Sequence, residues 1–133
     1  MSVRLLLVDD TEHVRKMLVE ILDLHGFQIV AEAGDGNDAV SQAMEHDPDV
    51  IVMDLKMPGQ DGIEAARHIR EERPNQHVII YSAYIDEEVR ARAREVGVAV
   101  CIPKLSGVEA LAREISALAM DLGGGDAEAP QAP

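Results

Sequence analysis

Short apolar segments alternate with amphipathic segments along most of this chain. Five segments have the length and apolar content of strands, and they span residues 3–8, 28–32, 50–53, 78–81 and 98–102. Between them, apolar residues recur three and four positions apart, as in the series Val14, Leu18 and Ile21. This spacing is typical of a helix that packs one face against a sheet. The pattern therefore predicts five strands that alternate with five helices.

The alternation of strands and helices also predicts the topology. Parallel strands need crossover connections, which are right-handed and usually contain a helix. We therefore expect an α/β fold of the flavodoxin-like type, a doubly wound five-stranded parallel sheet in the order 2-1-3-4-5 with five helices. Because proline is tolerated in sheets chiefly at edges and strand ends, Pro103 places the fifth strand at an edge.

Local residues indicate where helices begin and where the domain ends. Asp86 is expected to cap the fourth helix, and Ser106 with Glu109 fits a capping box for the fifth. From Leu122 the composition changes to glycine, alanine, proline and acidic residues, which is typical of chain that does not fold. We expect one folded domain over residues 2–121 and a disordered tail or linker over residues 122–133.

Composition and charge narrow the classes of function. The 12 basic and 25 acidic residues give a net charge of −13, so we expect no direct binding of nucleic acid or of anionic membranes. The apolar run at residues 5–8 is too short for a signal peptide or a membrane span, which predicts a cytoplasmic protein. Cys101 is the only cysteine and lies in an apolar run, which favours a small core residue over a reactive thiol.

Polar side chains follow four of the five predicted strands. Asp9 and Asp10 come after the first strand, Asp54 after the third, Ser82 after the fourth and Lys104 after the fifth. The carboxyl ends of parallel strands meet at one edge of the sheet, where α/β proteins bind ligands, so these residues should converge. Each has an ordinary explanation alone, as a helix cap, a turn residue or a solvated lysine. Their occurrence at successive strand ends favours a functional site.

The first and third strands are neighbours in the expected order, which brings three carboxylates together. At about 4 Å and an effective dielectric constant of about 20, each pair would repel by roughly 4 kcal/mol, so a cation is required. Mg²⁺ fits, because it prefers oxygen ligands and keeps several waters, and Lys104 can approach from the far side. With Asp54 as acceptor and Ser82 as hydroxyl donor, the set suits transfer of a phosphoryl group to a carboxylate.

The residues that carry this chemistry lie in the motifs Val8-Asp9-Asp10, Met53 to Gly62, Ser82-Ala83 and Lys104. The motifs resemble the receiver domain of two-component response regulators, over residues 2 to about 120. The resemblance implies that Asp54 accepts a phosphoryl group from a sensor histidine kinase or a histidine phosphotransfer protein. The implied Mg²⁺ ligands are Asp9, Asp10, Asp54 and the backbone carbonyl of Lys56. The implied partners of the phosphoryl oxygens are Ser82 and Lys104.

The resemblance also implies an output surface made of the fourth helix, the fifth strand and the fifth helix, where a downstream protein or a second copy of the chain would bind. Cys101 stands where the family usually has an aromatic residue, three positions before the lysine, so a smaller rearrangement is expected on activation. Lys56 and Tyr84 occupy positions that resemble the family's modulators of dephosphorylation.

Two further groups of residues have less specific explanations. Arginines on the two helices of the output surface fit a partner interface, although a solvated helix face explains such runs equally well. These arginines are Arg90, Arg92, Arg94 and Arg113. The histidines show no ligand-like clustering and are interpreted as ordinary surface or helix residues. They are His13, His25, His46, His68 and His77.

Three functions remain open at this point. The first is a phosphorylation-activated switch that signals by protein contacts, or the receiver portion of a DNA-binding response regulator, with no catalysis beyond its own phosphorylation and dephosphorylation. The second is an aspartyl-phosphate phosphatase, although Asp9-Asp10-Thr11 lacks the Asp-x-Asp-x-Thr spacing of such enzymes. The third is a receiver-like adaptor that binds partners without phosphorylation. The complete set of strand-end residues favours the first.

Overall fold

The computed structural model describes residues 2–127, with side chains through residue 120. Its five strands form one parallel sheet in the order β2-β1-β3-β4-β5. The strands are β1 (Arg4–Val8), β2 (Gln28–Ala33), β3 (Val50–Met53), β4 (His77–Ser82) and β5 (Val100–Pro103). The helices are α1 (Glu12–Leu24), α2 (Gly36–His46), α3 (Gly62–Glu72), α4 (Glu87–Val96) and α5 (Val108–Ala127). The predicted doubly wound, flavodoxin-like fold, its strand order and the edge position of β5 are confirmed.

Successive side chains along the central strands point to opposite faces of the sheet and so form two cores, one on each face. In β1, Leu6 and Val8 point into the core that α2, α3 and α4 cover, whereas Leu5 and Leu7 point into the core that α1 and α5 cover. All four residues of β3 are buried, because helices cover both faces of that strand. This double burial explains why β3 is a continuous apolar run in the sequence.

The register between β1 and β3 places the acidic residues at one edge of the sheet. Val8 pairs with Met53 at the end of the ladder, and the Asp54 amide donates to the Val8 carbonyl at 3.0 Å. Asp9 and Asp54 are therefore the first residues beyond the last pair of two adjacent strands. The same edge receives the turns that follow β4 and β5, as the sequence predicted.

The predicted N-terminal cap of α4 is present in the structure, whereas the predicted cap of α5 is not. Asp86 caps α4, since its side chain accepts a hydrogen bond from the Val89 amide at 2.9 Å. The predicted capping box of Ser106 is wrong, because Ser106 lies in a 3₁₀ turn (Lys104–Ser106) and α5 begins only after Gly107. Gly107 has φ 89°, a conformation that glycine adopts without strain and that separates the turn from the helix.

The C-terminal helix is longer than its apolar pattern predicted. Helix α5 extends to Ala127 and includes the first residues of the segment at 122–133 that the sequence assigned to a disordered tail. The rest of that segment lies outside the described residues. Within residues 2–127, no helix combines the length and the apolar character needed to cross a membrane.

Candidate functional site

The carboxylates of Asp9, Asp10 and Asp54 form a cluster at the carboxyl ends of β1 and β3. One oxygen from each lies within 4.8 Å of the others. Asp9 is almost fully buried, whereas Asp10 is exposed and Asp54 lies between these extremes. The structure therefore brings together the three acidic residues that the sequence placed at successive strand ends, and leaves the cluster open to solvent on the Asp10 side.

Lys104 supplies the positive charge of this cluster from the turn that follows β5. Its Nζ lies 2.8 Å from Asp9 Oδ2 and 3.4 Å from Asp54 Oδ2. Burial alone would lower the pKa of Lys104, but the hydrogen bond to Asp9 and the charges of Asp54 and Asp9 outweigh it and raise the pKa above its ordinary value. Lys104 is therefore held as an ammonium ion at neutral pH.

Asp9 is the most constrained member of the cluster. Its amide donates to the Ala33 carbonyl at 3.1 Å, and its Oδ1 accepts from the Thr11 amide at 2.9 Å. Its carbonyl accepts from Arg15 Nη1 at 2.7 Å. The sequence alone indicates no role for Arg15, since an arginine inside an amphipathic helix has no local feature that distinguishes it from a solvated one.

The loop after Asp54 is anchored at both of its ends. Asp54 Oδ1 accepts from the Leu55 amide at 2.8 Å, and the Gly62 amide donates to the Leu55 carbonyl at 2.7 Å. A Cβ atom at Gly62 would lie only 2.2 Å from the Asp54 carbonyl oxygen, so this close approach requires glycine. At the end of the loop, Asp61 caps α3 in a reciprocal capping box with Glu64.

The same loop is tied to neighbouring helices by side chains. Gln60 Nε2 donates to Asn37 Oδ1 at 2.7 Å, which connects the loop to α2. Arg92 of α4 lies 3.0 Å from Asp61 Oδ2. Arg92 therefore forms an ion pair within the chain. The sequence offered a partner interface or a solvated helix face as explanations for this arginine, and the ion pair is a third.

Ser82 lies at the end of β4 and Lys56 lies beyond the end of β3, at the same edge of the sheet as the carboxylate cluster. Ser82 is buried at the end of β4, the strand that lies between β3, which Asp54 follows, and β5, which Lys104 follows. Lys56 lies in the exposed loop, where its ammonium sits 5.2 Å from the centre of the Tyr84 ring. The cation and the aromatic ring attract each other and connect the loops that follow β3 and β4.

Cys101 of β5 and Arg90 of α4 are in contact at the position where the sequence departs from the receiver pattern. Cys101 is buried, and burial raises the pKa of its thiol despite the nearby charges of Arg90 and Arg94. Arg90 Nη1 donates to the Cys101 carbonyl at 3.2 Å, so this arginine holds α4 against β5. The interpretation of Cys101 as a small core residue is consistent with this position.

The donor set suits a hard divalent cation. Three carboxylates against one ammonium leave a formal charge of −2 at the cluster. All of the acidic donors are oxygens, which is the set that Mg²⁺ prefers, and no histidine or cysteine belongs to the group within the described residues. The residues present therefore fit Mg²⁺, the cation that the sequence predicts.

Comparisons with known proteins connect this geometry to a family. Residues 5–116 match the family described as response regulator receiver domain. The chain is 41% identical over 97 residues to the chemotaxis protein CheY of Halobacterium salinarum, a match that covers 73% of this chain and 80% of that protein. It is 40% identical over 94 residues to the transcriptional regulatory protein PdtaR of Mycobacterium tuberculosis, covering 71% of this chain and 45% of PdtaR. The chain thus spans less than half the length of PdtaR.

Solved structures give the same result. A LuxR-family DNA-binding response regulator from Staphylococcus aureus superposes with a TM-score of 0.82 at 29% identity, covering 87% of this chain and 98% of that one. The CheX-CheY-BeF₃-Mg²⁺ complex from Borrelia burgdorferi gives a TM-score of 0.78 at 29% identity, covering 90% of this chain and 88% of that one. With a matching family, sheet order and acidic cluster, the chain belongs to the response regulator receiver domains.

Proposed function

We propose that this receiver domain is a phosphorylation-activated switch in which Asp54 accepts a phosphoryl group. The observation that carries the proposal is the position of Asp54, which lies at the end of a buried strand between two further carboxylates and the ammonium of Lys104. Beside Asp54, the exposed carboxylate of Asp10 is accessible to a metal ion. The ammonium of Lys104 is held where it can bind the oxygens of an incoming phosphoryl group. These are the requirements of phosphoryl transfer, in which catalysis consists mainly of positioning and charge neutralisation.

In the proposed reaction, one oxygen of Asp54 forms a bond to phosphorus while the bond between phosphorus and the donor's imidazole nitrogen breaks. The imidazole leaves with the electron pair and is then protonated. Lys104 already contacts Asp54, so its ammonium reaches the oxygens of the new acyl phosphate with a small movement. Ser82 would donate a hydrogen bond from its hydroxyl to another of these oxygens. In this proposal the domain catalyses no reaction beyond its own phosphorylation and dephosphorylation.

The proposed metal ligands are Asp9, Asp10, Asp54 and the backbone carbonyl of Lys56, with Mg²⁺ as the ion. When bound, Mg²⁺ neutralises the carboxylates and the charge that develops on the phosphoryl group. Asp9 would need to exchange the contact between its Oδ2 and Lys104 for the metal, since its Oδ1 accepts from the Thr11 amide. Movement of Lys104 from Asp9 toward Asp54, whose Oδ2 already lies 3.4 Å from its Nζ, would release that oxygen before phosphorylation.

The proposed phosphodonor is a sensor histidine kinase or a histidine phosphotransfer protein. The downstream partner would bind the surface of α4, β5 and α5, and this surface would also serve a homodimer. An alternative within the class is that the chain is the receiver portion of a longer, DNA-binding response regulator. This alternative is supported by the match to less than half of PdtaR, a transcriptional regulatory protein. A phosphorylation-independent adaptor is the remaining alternative.

The test of the proposed function is intact-mass measurement after incubation with acetyl phosphate, with and without Mg²⁺. We expect the wild-type chain to gain the mass of one phosphoryl group only when Mg²⁺ is present, and Asp54→Asn to gain none. Persistence of the modification in Asp54→Asn would assign the acceptor elsewhere. A wild-type chain that stays unmodified, together with equal partner affinity for wild type and Asp54→Asn, would favour the adaptor.

A further inference from the structure

Arg15 bridges the acidic cluster and strand β2 from inside helix α1. Its Nη1 donates to the Asp9 carbonyl at 2.7 Å, and its Nε donates to Glu32 Oε1 at 2.9 Å. Only 15% of the Arg15 side chain is exposed, so the guanidinium is held in place and is not a freely moving surface group. The carbonyl that it binds belongs to the peptide that joins Asp9 to Asp10, the two acidic residues after β1.

We propose that Arg15 is a positioning residue for the metal ligands Asp9 and Asp10. It orients both residues through its hydrogen bond to the Asp9 carbonyl, and this orientation sets the affinity of the cluster for a divalent cation. The inference rests on the proposed function, because it takes these carboxylates as the ligands. Arg15 would touch neither the metal nor the phosphoryl group. Its effect would be exerted through one peptide plane.

The end of strand β1 explains why this peptide needs an external donor. The ladders of β1 with β2 and β3 both end at Val8, so Asp9 lies just beyond the regular pairing. The Asp9 amide still finds the Ala33 carbonyl, but its own carbonyl accepts from a side chain. Rotation of this peptide would turn both carboxylates, and the hydrogen bond from Arg15 opposes that rotation.

Glu32 keeps the guanidinium in the required orientation. The planar fork of arginine lets one nitrogen bind the Glu32 carboxylate while another binds the Asp9 carbonyl, a geometry that lysine does not reproduce. Burial would raise the pKa of Glu32, but hydrogen bonds from Arg15 and Lys16 outweigh it and lower the pKa, so the carboxylate remains ionised at neutral pH. Metal sites depend in the same way on groups that orient their ligands.

The neighbouring residue Lys16 provides a matched control. Its Nζ lies 3.1 Å from the same Glu32 Oε1, and its side chain is 56% exposed. Arg15→Gln and Lys16→Gln therefore remove the same charge from the same carboxylate, but only Arg15→Gln removes the donor to Asp9. Loss of a positive charge near the cluster should by itself strengthen binding of a cation. A positioning role for Arg15 predicts the opposite sign.

The experiment is calorimetric titration of the full chain with MgCl₂ in the absence of any phosphodonor. We expect Arg15→Gln to raise the Kd for Mg²⁺ about tenfold or more, as loss of an orienting partner does at other metal sites. Lys16→Gln should leave the Kd unchanged or lower it. Arg15→Lys keeps the charge without the fork, should weaken binding by an intermediate factor, and carries the test if Arg15→Gln does not fold.

Two outcomes would overturn the inference, and they are distinguishable. If the wild type binds Mg²⁺ and the Arg15 variants bind it as tightly as Lys16→Gln, the positioning role is wrong while the proposed function stands. If the wild type does not bind Mg²⁺, the proposed ligand set fails together with the inference. Amide chemical shifts of Asp10 and Thr11 without Mg²⁺ give a second readout, because they should move in Arg15→Gln and stay in place in Lys16→Gln.

Discussion

Gly62 is the residue at which the backbone of the site is most tightly packed. As the first residue of α3 it would tolerate alanine on helix propensity alone. A Cβ atom would however lie 2.2 Å from the Asp54 carbonyl oxygen and 3.2 Å from Leu55 Cα, both of them backbone atoms that cannot rotate away. The requirement for glycine here is therefore steric, and it concerns the peptide that carries the proposed phosphoacceptor.

Gly62→Ala should destabilise the domain by about 1–3 kcal/mol, the usual cost of overpacking, and should displace Asp54 from Lys104. Chemical denaturation measures the first effect, and the rate of phosphorylation by acetyl phosphate measures the second. The matched control is Gly34→Ala, whose Cβ would make only an ordinary contact at 3.5 Å with Arg15 Nη1. Equal stability of the two variants would contradict the steric argument.

At the scale of elements, the sequence predicted what depends on local pattern and burial. The three central strands, β1, β3 and β4, were predictable because helices cover both faces of the sheet there and make these strands almost continuously apolar. The carboxylates were predictable because they interrupt two of these runs at the edge of the sheet. The turn after β5 was missed. Ser106 and Glu109 have the spacing of a capping box, but Gly107 takes φ 89° and ends a 3₁₀ turn between them.

Contacts between distant elements were also beyond the sequence pattern. Arg15 meets Glu32, and Arg92 meets Asp61, across separations that local periodicity does not encode. Such pairs form only when the crossovers have brought α1 beside β2 and α4 beside α3. The three carboxylates of the cluster could be placed at one edge of the sheet because they directly follow β1 and β3, whereas Arg15, which we propose to orient two of them, lies within α1.

The end of α1 is joined to α5 by His25, an interaction between elements that should depend on pH. His25 Nδ1 lies 2.9 Å from the Ile21 carbonyl and Nε2 lies 3.3 Å from Glu109 Oε2, so both ring nitrogens face acceptors. The hydrogen bond to Ile21 raises the pKa of His25 and burial lowers it, while Glu109 adds to the increase, so the pKa is raised above 6.5. Protonation is therefore favoured by folding.

A group whose pKa is raised by folding stabilises the protein below its unfolded pKa, here 6.5, and loses that contribution as the pH rises through the folded pKa. The free energy of unfolding should therefore fall as the pH rises above about 6.5, and His25→Gln should flatten this fall. Identical slopes for the wild type and His25→Gln would refute the coupling.

At the scale of the whole molecule, the distribution of charge is the dominant constraint. The chain carries a net charge of −13, and it concentrates three carboxylates at one edge of the sheet against the single ammonium of Lys104. Asp54 thus has two repulsive neighbours and one attractive neighbour. Repulsion among these carboxylates should lower the stability of the domain in the absence of a cation, as expected for the proposed Mg²⁺ site.

Asp54→Asn should for this reason stabilise the metal-free domain, by about 1–2 kcal/mol, or about 4 °C in Tm for each kcal/mol. The wild type should gain more from Mg²⁺, since a ligand at about 100 times its Kd stabilises by about 2.7 kcal/mol and the variant lacks one anionic ligand. The two Tm values should therefore converge as MgCl₂ is added.

Asp23→Asn changes the net charge equally but lies at the opposite end of α1, so it should keep the full response to Mg²⁺. A metal-free Asp54→Asn variant that melts below the wild type would show that the contact with Lys104 outweighs the repulsion among the carboxylates.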